Sequence, residues 1–165
     1  MLKFVTHAAA GLLILAGTSA AETAAPMGQT IIRAGSGHIL AAPPSNFTGP
    51  ATVRRLVDPV APSRTSASLV TFEAGARSNW HTHPAGQILY VEDGCGLTQE
   101  DGGPISRVCK GDTVYVQANV KHWHGARASA PVTYLTMTET LDNRNVDWLQ
   151  PVSPAQYGAG ESDPS

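Results

Sequence analysis

The chain has 165 residues, a net charge of −2 and 15% charged residues. This length is enough for one domain with a hydrophobic core. No basic patch stands out in the sequence, so its charge pattern argues against a nucleic-acid partner.

Residues 1–21 are predicted to be a secretory signal peptide. A basic start at Lys3 is followed by an apolar run from about Ala8 to Leu15 and by small residues suited to cleavage after Ala20 or Ala21. The apolar run is too short for a membrane span, which needs roughly 20 residues. An uncleaved membrane anchor is the alternative. The sequence therefore predicts a secreted or periplasmic protein that does not contact the membrane after cleavage.

The remaining chain divides by composition into an arm, one domain and a tail. Residues 22–50 are rich in Ala, Gly, Pro and Ser and predict an arm or linker, with one short strand around Thr30 to Ala34. One domain is predicted over residues 51–157. It ends with a short helix that starts at Ser153-Pro154, with Ser as the N-cap. Residues 158–165 predict a disordered polar tail.

Short segments rich in β-forming residues make up the predicted domain. The predicted strands are Ser68–Phe72, Gln87–Glu92, Leu97–Glu100, Ile105–Val108, Thr113–Val116 and Val132–Met137. Turn residues such as Asp93-Gly94 and Asp101-Gly102-Gly103 separate them, and no long helical period is present. This pattern predicts an all-β sandwich or barrel.

The chain has two cysteines, Cys95 and Cys109, on either side of a predicted turn. If the hairpin pivots near Gly102, the two side chains face each other across the strands. An oxidising compartment would then permit a disulfide. A shift of one residue in register would leave two thiols instead. Both outcomes stay open from the sequence.

Four of the six histidines fall in two short runs, His81-Thr82-His83 and His122-Trp123-His124. In a β-strand alternate side chains share a face, so each run can direct two imidazoles to one point. Imidazole is a common ligand of transition metals. The clustering therefore predicts a mononuclear metal site.

Residues around both runs recur at fixed spacings. The first stretch comprises Gly75, His81, His83, Gln87 and Gly94, and the second comprises Gly111, Gln117, Asn119 and His122. These stretches resemble the two metal-binding motifs of the cupin superfamily. The resemblance implies an antiparallel jelly-roll β-barrel with a metal ion inside. It also implies four metal ligands, namely His81, His83, Gln87 and His122.

Three positions depart from the general cupin pattern. Gln87 stands where glutamate is usual, Gln117 where proline is usual, and Asn119 where glycine is usual at a tight turn. Asn tolerates a left-handed backbone, so the turn is expected to survive. The neutral amide of Gln87 leaves the ion its full charge, which favours Lewis-acid chemistry over redox cycling. Alternatively, Gln87 is only a polar residue of a strand.

A narrower resemblance is carried by the segments Trp80-His81-Thr82-His83-Pro84, Lys121-His122-Trp123-His124-Gly125-Ala126 and Val146-Asp147-Trp148. They look like the corresponding parts of small bacterial cupins with hydroxynitrile lyase activity. That resemblance implies a manganese ion on three histidines and one glutamine. It also implies cleavage of an aromatic cyanohydrin to an aldehyde and hydrogen cyanide. Iron, zinc, nickel and cobalt also suit this ligand set.

Two further residues are candidates for catalysis. His124 should face the same cavity as His122, where a free imidazole can act as general base or acid. Alternatively, it orients a ligand or is a satisfied core histidine. Tyr134, on a strand expected to line the barrel, can donate a hydrogen bond to a developing charge. Neighbouring pocket-shaping candidates are Ser68, Val70, Thr136 and Thr138.

Three functions fit these expectations. The first is cyanohydrin lyase activity, and the second is another metal-dependent cupin reaction, such as that of a sugar-acid isomerase or lyase or a dioxygenase. The third is non-catalytic binding of a metal or small ligand in the periplasm. All three imply a small-molecule partner. Small cupins often pair strand edges, so a homo-oligomer, a dimer or larger, is also expected.

Overall fold

A computed structural model describes residues 28–160 of the chain. The predicted signal peptide, residues 1–21, and the tail residues 161–165 lie outside this range. The strands are β1 (Ile39–Ala41), β2 (Phe47–Thr48), β3 (Ala51–Val57), β4 (Thr65–Phe72), β5 (Arg77–Ser78), β6 (His81–Thr82), β7 (Gln87–Glu100), β8 (Ser106–Cys109), β9 (Thr113–Val116), β10 (His122–Ala126), β11 (Val132–Glu139) and β12 (Asp147–Trp148). One helix, α1 (Pro154–Ala159), follows them. No helix in the described range has the length and apolarity needed to span a bilayer.

The strands form two antiparallel sheets that share β7. The first sheet runs β1-β3-β4-β11-β7-β9, and the second runs β2-β5-β10-β7-β8, with β6 on β10 and β12 on β6. Because one long strand belongs to both sheets, they curl around a common interior. This arrangement confirms the predicted all-β antiparallel jelly-roll barrel.

The predicted break in the middle of β7 is wrong, because the two expected strands are one strand of 14 residues. Pairing with β11 passes from Val91 to Asp93 and leaves Glu92 as an extra residue. Gly94 follows with a φ of +78°, which glycine adopts at little cost. A bulge bends a strand and increases its twist. The turn-forming residues therefore mark the corner where β7 passes from one sheet to the other.

The strand predicted around Thr30 to Ala34 is also wrong. A turn occupies this region, in which the backbone N–H and the hydroxyl of Ser36 both bond to the carbonyl of Arg33. The arm instead forms β1 and β2, which pair with β3 and β5. In its described part, the predicted arm of residues 22–50 thus contributes strands to both sheets.

Two hydrophobic clusters support the site. The first fills the barrel and includes Phe72, Leu89 and Val132, all at most 1% exposed. The second lies between the second sheet and α1 and contains the following residues: Trp80, Leu97, Trp123, Val152 and Tyr157. The two tryptophans are core residues, as their apolar bulk predicts.

Helix α1 begins as the sequence predicts. Ser153 is the N-cap, Pro154 is in the first turn, and Ser153 and Gln156 form a reciprocal capping box. The helix continues to Ala159, which is two residues beyond the predicted end of the domain at Tyr157.

Cys95 and Cys109 are directly opposite each other in the β7–β8 pair and form a disulfide. The β7–β8 hairpin turns around Gly102, as the sequence indicates, and the strands therefore pair in the register that allows the disulfide. Closing a loop of this size stabilises the fold by about 3 kcal/mol in the chain-entropy model.

Candidate metal centre

Three of the four clustered histidines converge inside the barrel. His81 lies on β6 directly opposite His122 on β10, and His83 follows β6 by one residue. Their ligand nitrogens lie within 4.8 Å of one another, and all three residues are buried. The structure therefore brings together the three imidazoles that were expected to hold a metal ion.

Backbone carbonyls fix the orientation of each of these imidazoles. Nδ1 of His81, His83 and His122 lies 2.9, 2.6 and 3.0 Å from the carbonyl oxygens of Asn79, Asn145 and Val120, respectively. A carbonyl only accepts, so each Nδ1 carries the proton and donates it. Each Nε2 then has a lone pair available for a metal ion.

Gln87, the fourth expected ligand, lies at the start of β7 beside His122. Its Oε1 is 2.9 Å from His122 Nε2, so two acceptor atoms face each other in this tautomer. Nε2 of His83 is buried and lacks a hydrogen-bond partner within residues 28–160. A cation among these atoms satisfies all of them, so the donor set fits a metal ion.

Backbone packing brings Gln87 to this point. Gly86 has a φ of +81°, and a Cβ there would lie 2.7 Å from the carbonyl oxygen of Val116. Only glycine allows this close approach between the start of β7 and the end of β9. Asn119, in the following turn, has a φ of +62° and donates its N–H to the carbonyl of His83 at 2.8 Å. The left-handed turn expected at Asn119 is confirmed.

Burial keeps the three imidazoles uncharged at neutral pH. Desolvation lowers the pKa of His122 to about 4, and His83 adds a smaller effect in the same direction. Desolvation is also the main cause that lowers the pKa of His81 and of His83. Neutral imidazole is the form that binds metals, so the cavity holds the ligands ready for an ion.

His124 lines a cavity together with His81 and His83, whereas His122 is not among the residues that line it, and His124 stands apart from the three converging histidines. Its ring stacks against that of His122 at a centroid distance of 6.1 Å, and it does not belong to the group whose ligand atoms converge. Its Nδ1 is buried and has no hydrogen-bond partner in the described structure. Desolvation, followed by His122 and His83, lowers its pKa well below the ordinary value. His124 is thus a neutral imidazole beside the candidate metal centre.

Tyr134 does not have the position expected of a catalytic residue. It is fully buried, and its hydroxyl donates to the carbonyl of Gly125 at 3.1 Å. The cavity wall does not include it. Its ring instead contacts His124 edge-on at 5.2 Å. Since the hydroxyl is already bonded inside the core, the geometry favours a role in supporting His124 over contact with a substrate.

A cavity of about 230 Å³ opens next to the histidines. All four residues that were expected to shape the pocket line it, namely Ser68, Val70, Thr136 and Thr138. Sequence reasoning did not identify Arg55, Phe47, Asn145 and Trp148, which also line it. Trp148 lies in a segment that carries the resemblance, whereas Phe47 and Arg55 lie outside both motifs. Only the folded arm and the pairing of β3 reveal them.

Comparisons with known proteins identify the family of the chain. The model of the cupin domain family matches residues 68–138. The chain is 42% identical over 111 residues to the (R)-mandelonitrile lyase of Granulicella tundricola, an alignment that covers 67% of this chain and 85% of that protein.

Solved structures have the same fold. A cupin-like protein from Thermotoga maritima is 36% identical, with a TM-score of 0.71 over 74% of this chain and 94% of that protein. A cupin-2 domain from Rhodospirillum rubrum is 19% identical, with a TM-score of 0.59 over 83% of this chain and 89% of that protein. The second likeness concerns the fold alone.

Proposed function

The chain belongs to the cupin family, and we propose that it is a metal-dependent lyase that cleaves and forms cyanohydrins. The observation that carries this proposal is that three of the four clustered histidines converge as candidate metal ligands, while the fourth is left available for proton transfer. Three imidazoles offer converging lone pairs, and a fourth neutral imidazole stands free beside them. The 42% identity to a protein named (R)-mandelonitrile lyase supports the choice of reaction.

We propose Mn²⁺ as the ion, bound by His81, His83, His122 and the amide oxygen of Gln87. Iron, zinc, nickel and cobalt accept the same donors. A bound divalent ion would supply Lewis-acid stabilisation of negative charge on a substrate oxygen. The neutral amide of Gln87 adds no negative charge to the site, which suits this chemistry better than redox cycling.

In this proposal His124 moves the proton. The hydroxyl of the cyanohydrin gives its proton to the imidazole of His124, the carbon–oxygen bond becomes a carbonyl, and the carbon–cyanide bond breaks. Cyanide then takes the proton from His124 and leaves as hydrogen cyanide, so atoms and charge balance. Neutral imidazole is the form needed for the first transfer, and burial favours that form.

The other cavity residues hold the substrate. Phe47, Val70 and Trp148 provide an apolar surface for an aromatic ring, while Thr138, which is directly opposite the candidate ligand Gln87, contributes a hydroxyl group. The ring of His124 is held edge-on between Phe72 and Tyr134, at centroid distances of 5.4 and 5.2 Å. These contacts limit its rotation and keep it facing the cavity.

The test is to measure metal content and cyanide release on the same preparation. The chain is produced with its own N-terminal segment, its metal is determined by elemental analysis, and it is assayed with mandelonitrile. About one ion per chain and metal-dependent release of benzaldehyde and cyanide are expected. A metal-loaded protein that releases no cyanide would refute the lyase proposal and leave a different cupin reaction or a binding role.

We also propose that the mature protein works in the periplasm or outside the cell. The predicted leader and the paired Cys95 and Cys109 support this, because disulfides persist in oxidising compartments. Mass analysis of periplasmic protein should find a chain that begins near residue 21 or 22. A full-length chain in the cytoplasm would contradict the proposal.

A further inference from the structure

Among the described residues, the wall of the cavity beside the candidate metal centre has one guanidinium and no carboxylate. Of its eighteen lining residues within 28–160, Arg55 is the one Lys or Arg, and none is Asp or Glu. The amide of Gln87 is neutral, so it does not offset a bound divalent ion. A cavity with an arginine, a metal site and no carboxylate attracts anions.

Strand pairing directs Arg55 into this cavity. Arg55 on β3 is directly opposite Ser68 on β4, and paired residues of an antiparallel sheet point to the same side. Ser68 is 8% exposed and lines the cavity, as does Arg55. The preceding residue, Arg54, is opposite Leu69 and lines a different groove on the outer face of the sheet, together with Glu92.

The guanidinium of Arg55 is weakly engaged in the described structure. Its one ion pair is with Asp58, where Nε and Oδ1 are 3.6 Å apart and both side chains are at least half exposed. Exposed pairs at this separation contribute little stability. A guanidinium has five N–H donors and binds a carboxylate through two of them at once. Arg55 is therefore free to bind a carboxylate that enters the cavity.

The distance between Arg55 and the candidate metal ligands determines how far the carboxylate of a bound anion must lie from its reacting carbon. A row of directly paired residues runs from Arg55 through Ser68 and Thr136 to Leu89, two residues from Gln87. Three strand spacings of about 4.8 Å make roughly 14 Å along the sheet. Since the sheet curls inward, the direct gap across the cavity is shorter. A carboxylate at Arg55 is then several bonds away from the carbon that reacts near Gln87.

We propose that Arg55 makes the cavity selective for organic anions that carry a carboxylate remote from the reacting carbon. The reacting end is the hydroxynitrile or aldehyde group, and the carboxylate pairs with the guanidinium at the cavity mouth. This inference rests on the proposed function in one respect, namely that the reacting group lies at the metal centre.

The experiment compares two aromatic aldehydes that differ by one carboxylate, placed opposite the aldehyde group. Binding of benzaldehyde and of 4-formylbenzoate to the manganese-loaded protein is measured by isothermal titration calorimetry. The wild-type protein should bind the anion about tenfold more tightly, as a partly exposed charge-assisted pair predicts. Arg55→Gln should remove this preference. Arg54→Gln, which makes the same charge change on the outer face, should keep it.

A second variant tests the idea without removing the arginine. Asp58→Asn frees Arg55 from its neighbour and should increase the preference for the anion by a few-fold. Equal affinity for the two aldehydes in the wild type, no binding of the anion, or an equal loss in Arg54→Gln and Arg55→Gln would overturn the inference. A preference that depends on Arg55 in a protein that releases no cyanide would refute the lyase proposal alone.

Discussion

The two histidine runs have the same His-x-His pattern, but the structure uses them differently. The first run leaves the strand after Thr82, and the rings of His81 and His83 are nearly perpendicular, at 89° and 5.1 Å. The second run stays in β10, and the rings of His122 and His124 are nearly parallel, at 17° and 6.1 Å. The ligand nitrogens of His81 and His83 converge with that of His122, whereas His124 does not belong to the converging group.

The backbone around His83 explains the difference. Its carbonyl accepts from the N–H groups of Gly86 and Asn119, and its Nδ1 donates to the carbonyl of Asn145. These bonds hold the residue in a turn, outside regular strand geometry. A run that ends in a turn thus yields two candidate ligands, while a run within a strand yields one candidate ligand and one free imidazole.

The largest effect is expected from breaking the first run. His81→Ala removes one of three converging imidazoles, so metal affinity should fall by at least about 100-fold and cyanide release should be lost. Elemental analysis after desalting measures the first effect. His38→Ala, at an exposed position of the arm, is the matched control and should retain the metal. Full metal occupancy in His81→Ala would show that the first run does not supply the metal ligands.

The next largest effect distinguishes His122, a candidate metal ligand, from His124, a candidate general base. His124→Ala should retain the metal but lower kcat by about 100-fold to 10,000-fold, as expected for loss of a general base. Metal content and mandelonitrile cleavage are measured on the same sample. If the metal is lost as it is in His122→Ala, then His124 is a ligand and the two runs act alike.

Acid should weaken the metal-free protein because both runs are buried uncharged. Unfolded histidines bind protons below about pH 6.5, whereas folded His122 does so only near pH 4. The contribution of these neutral histidines to the free energy of unfolding is therefore fully present above pH 6.5, and it is lost as the pH falls toward 4. His122 alone accounts for up to about 3 kcal/mol of this loss.

Urea unfolding at pH 7, 5.5 and 4.5 measures this dependence. His124→Gln removes one of the buried imidazoles and should make the decrease with pH shallower. An unfolding midpoint that does not change from pH 7 to 4.5 would contradict the prediction.

The smallest effect concerns the residue that holds His83 in its turn. The amide of Asn145 donates to the hydroxyl of Thr138 at 2.8 Å, which fixes the carbonyl that accepts from His83. Asn145→Ala should weaken metal binding by about tenfold, a usual cost of losing a group that orients a ligand. Competition with a chelator measures it. Arg144→Ala alters only an exposed ion pair of the same loop and should bind metal normally.

Much of the fold follows from local sequence signals. Strand β9, Thr113–Val116, has the predicted bounds, and Ser153 caps α1 as expected. These features depend on residues close together in the chain, so the sequence determines them. The corner at Gly94 and the position of β1 depend on which strands pair, and local propensity contains no such information.

In the candidate site, too, some features follow from local sequence and others depend on which strands pair. The two histidine runs indicated a metal site, and the resemblance to cupins implied that His81, His83 and His122 are the ligands. The sequence did not indicate that the Tyr134 hydroxyl on β11 bonds to the carbonyl of Gly125 on β10. That bond also requires Gly96 on β7, where a Cβ would collide with the hydroxyl. Nor did the sequence indicate Arg55, whose place in the cavity depends on pairing between β3 and β4.

The cavity has two walls of different origin, which matters for how such a protein can change. The histidines come from strands of the second sheet and the turn after β6, whereas Ser68, Val70 and Thr136 come from β4 and β11 of the first sheet. None of these three side chains contacts a candidate ligand through a hydrogen bond in the described structure. Substitutions at Ser68 and Thr136, on the wall formed by the first sheet, can therefore change the range of substrates, by natural drift or in a designed library, without removing a candidate metal ligand.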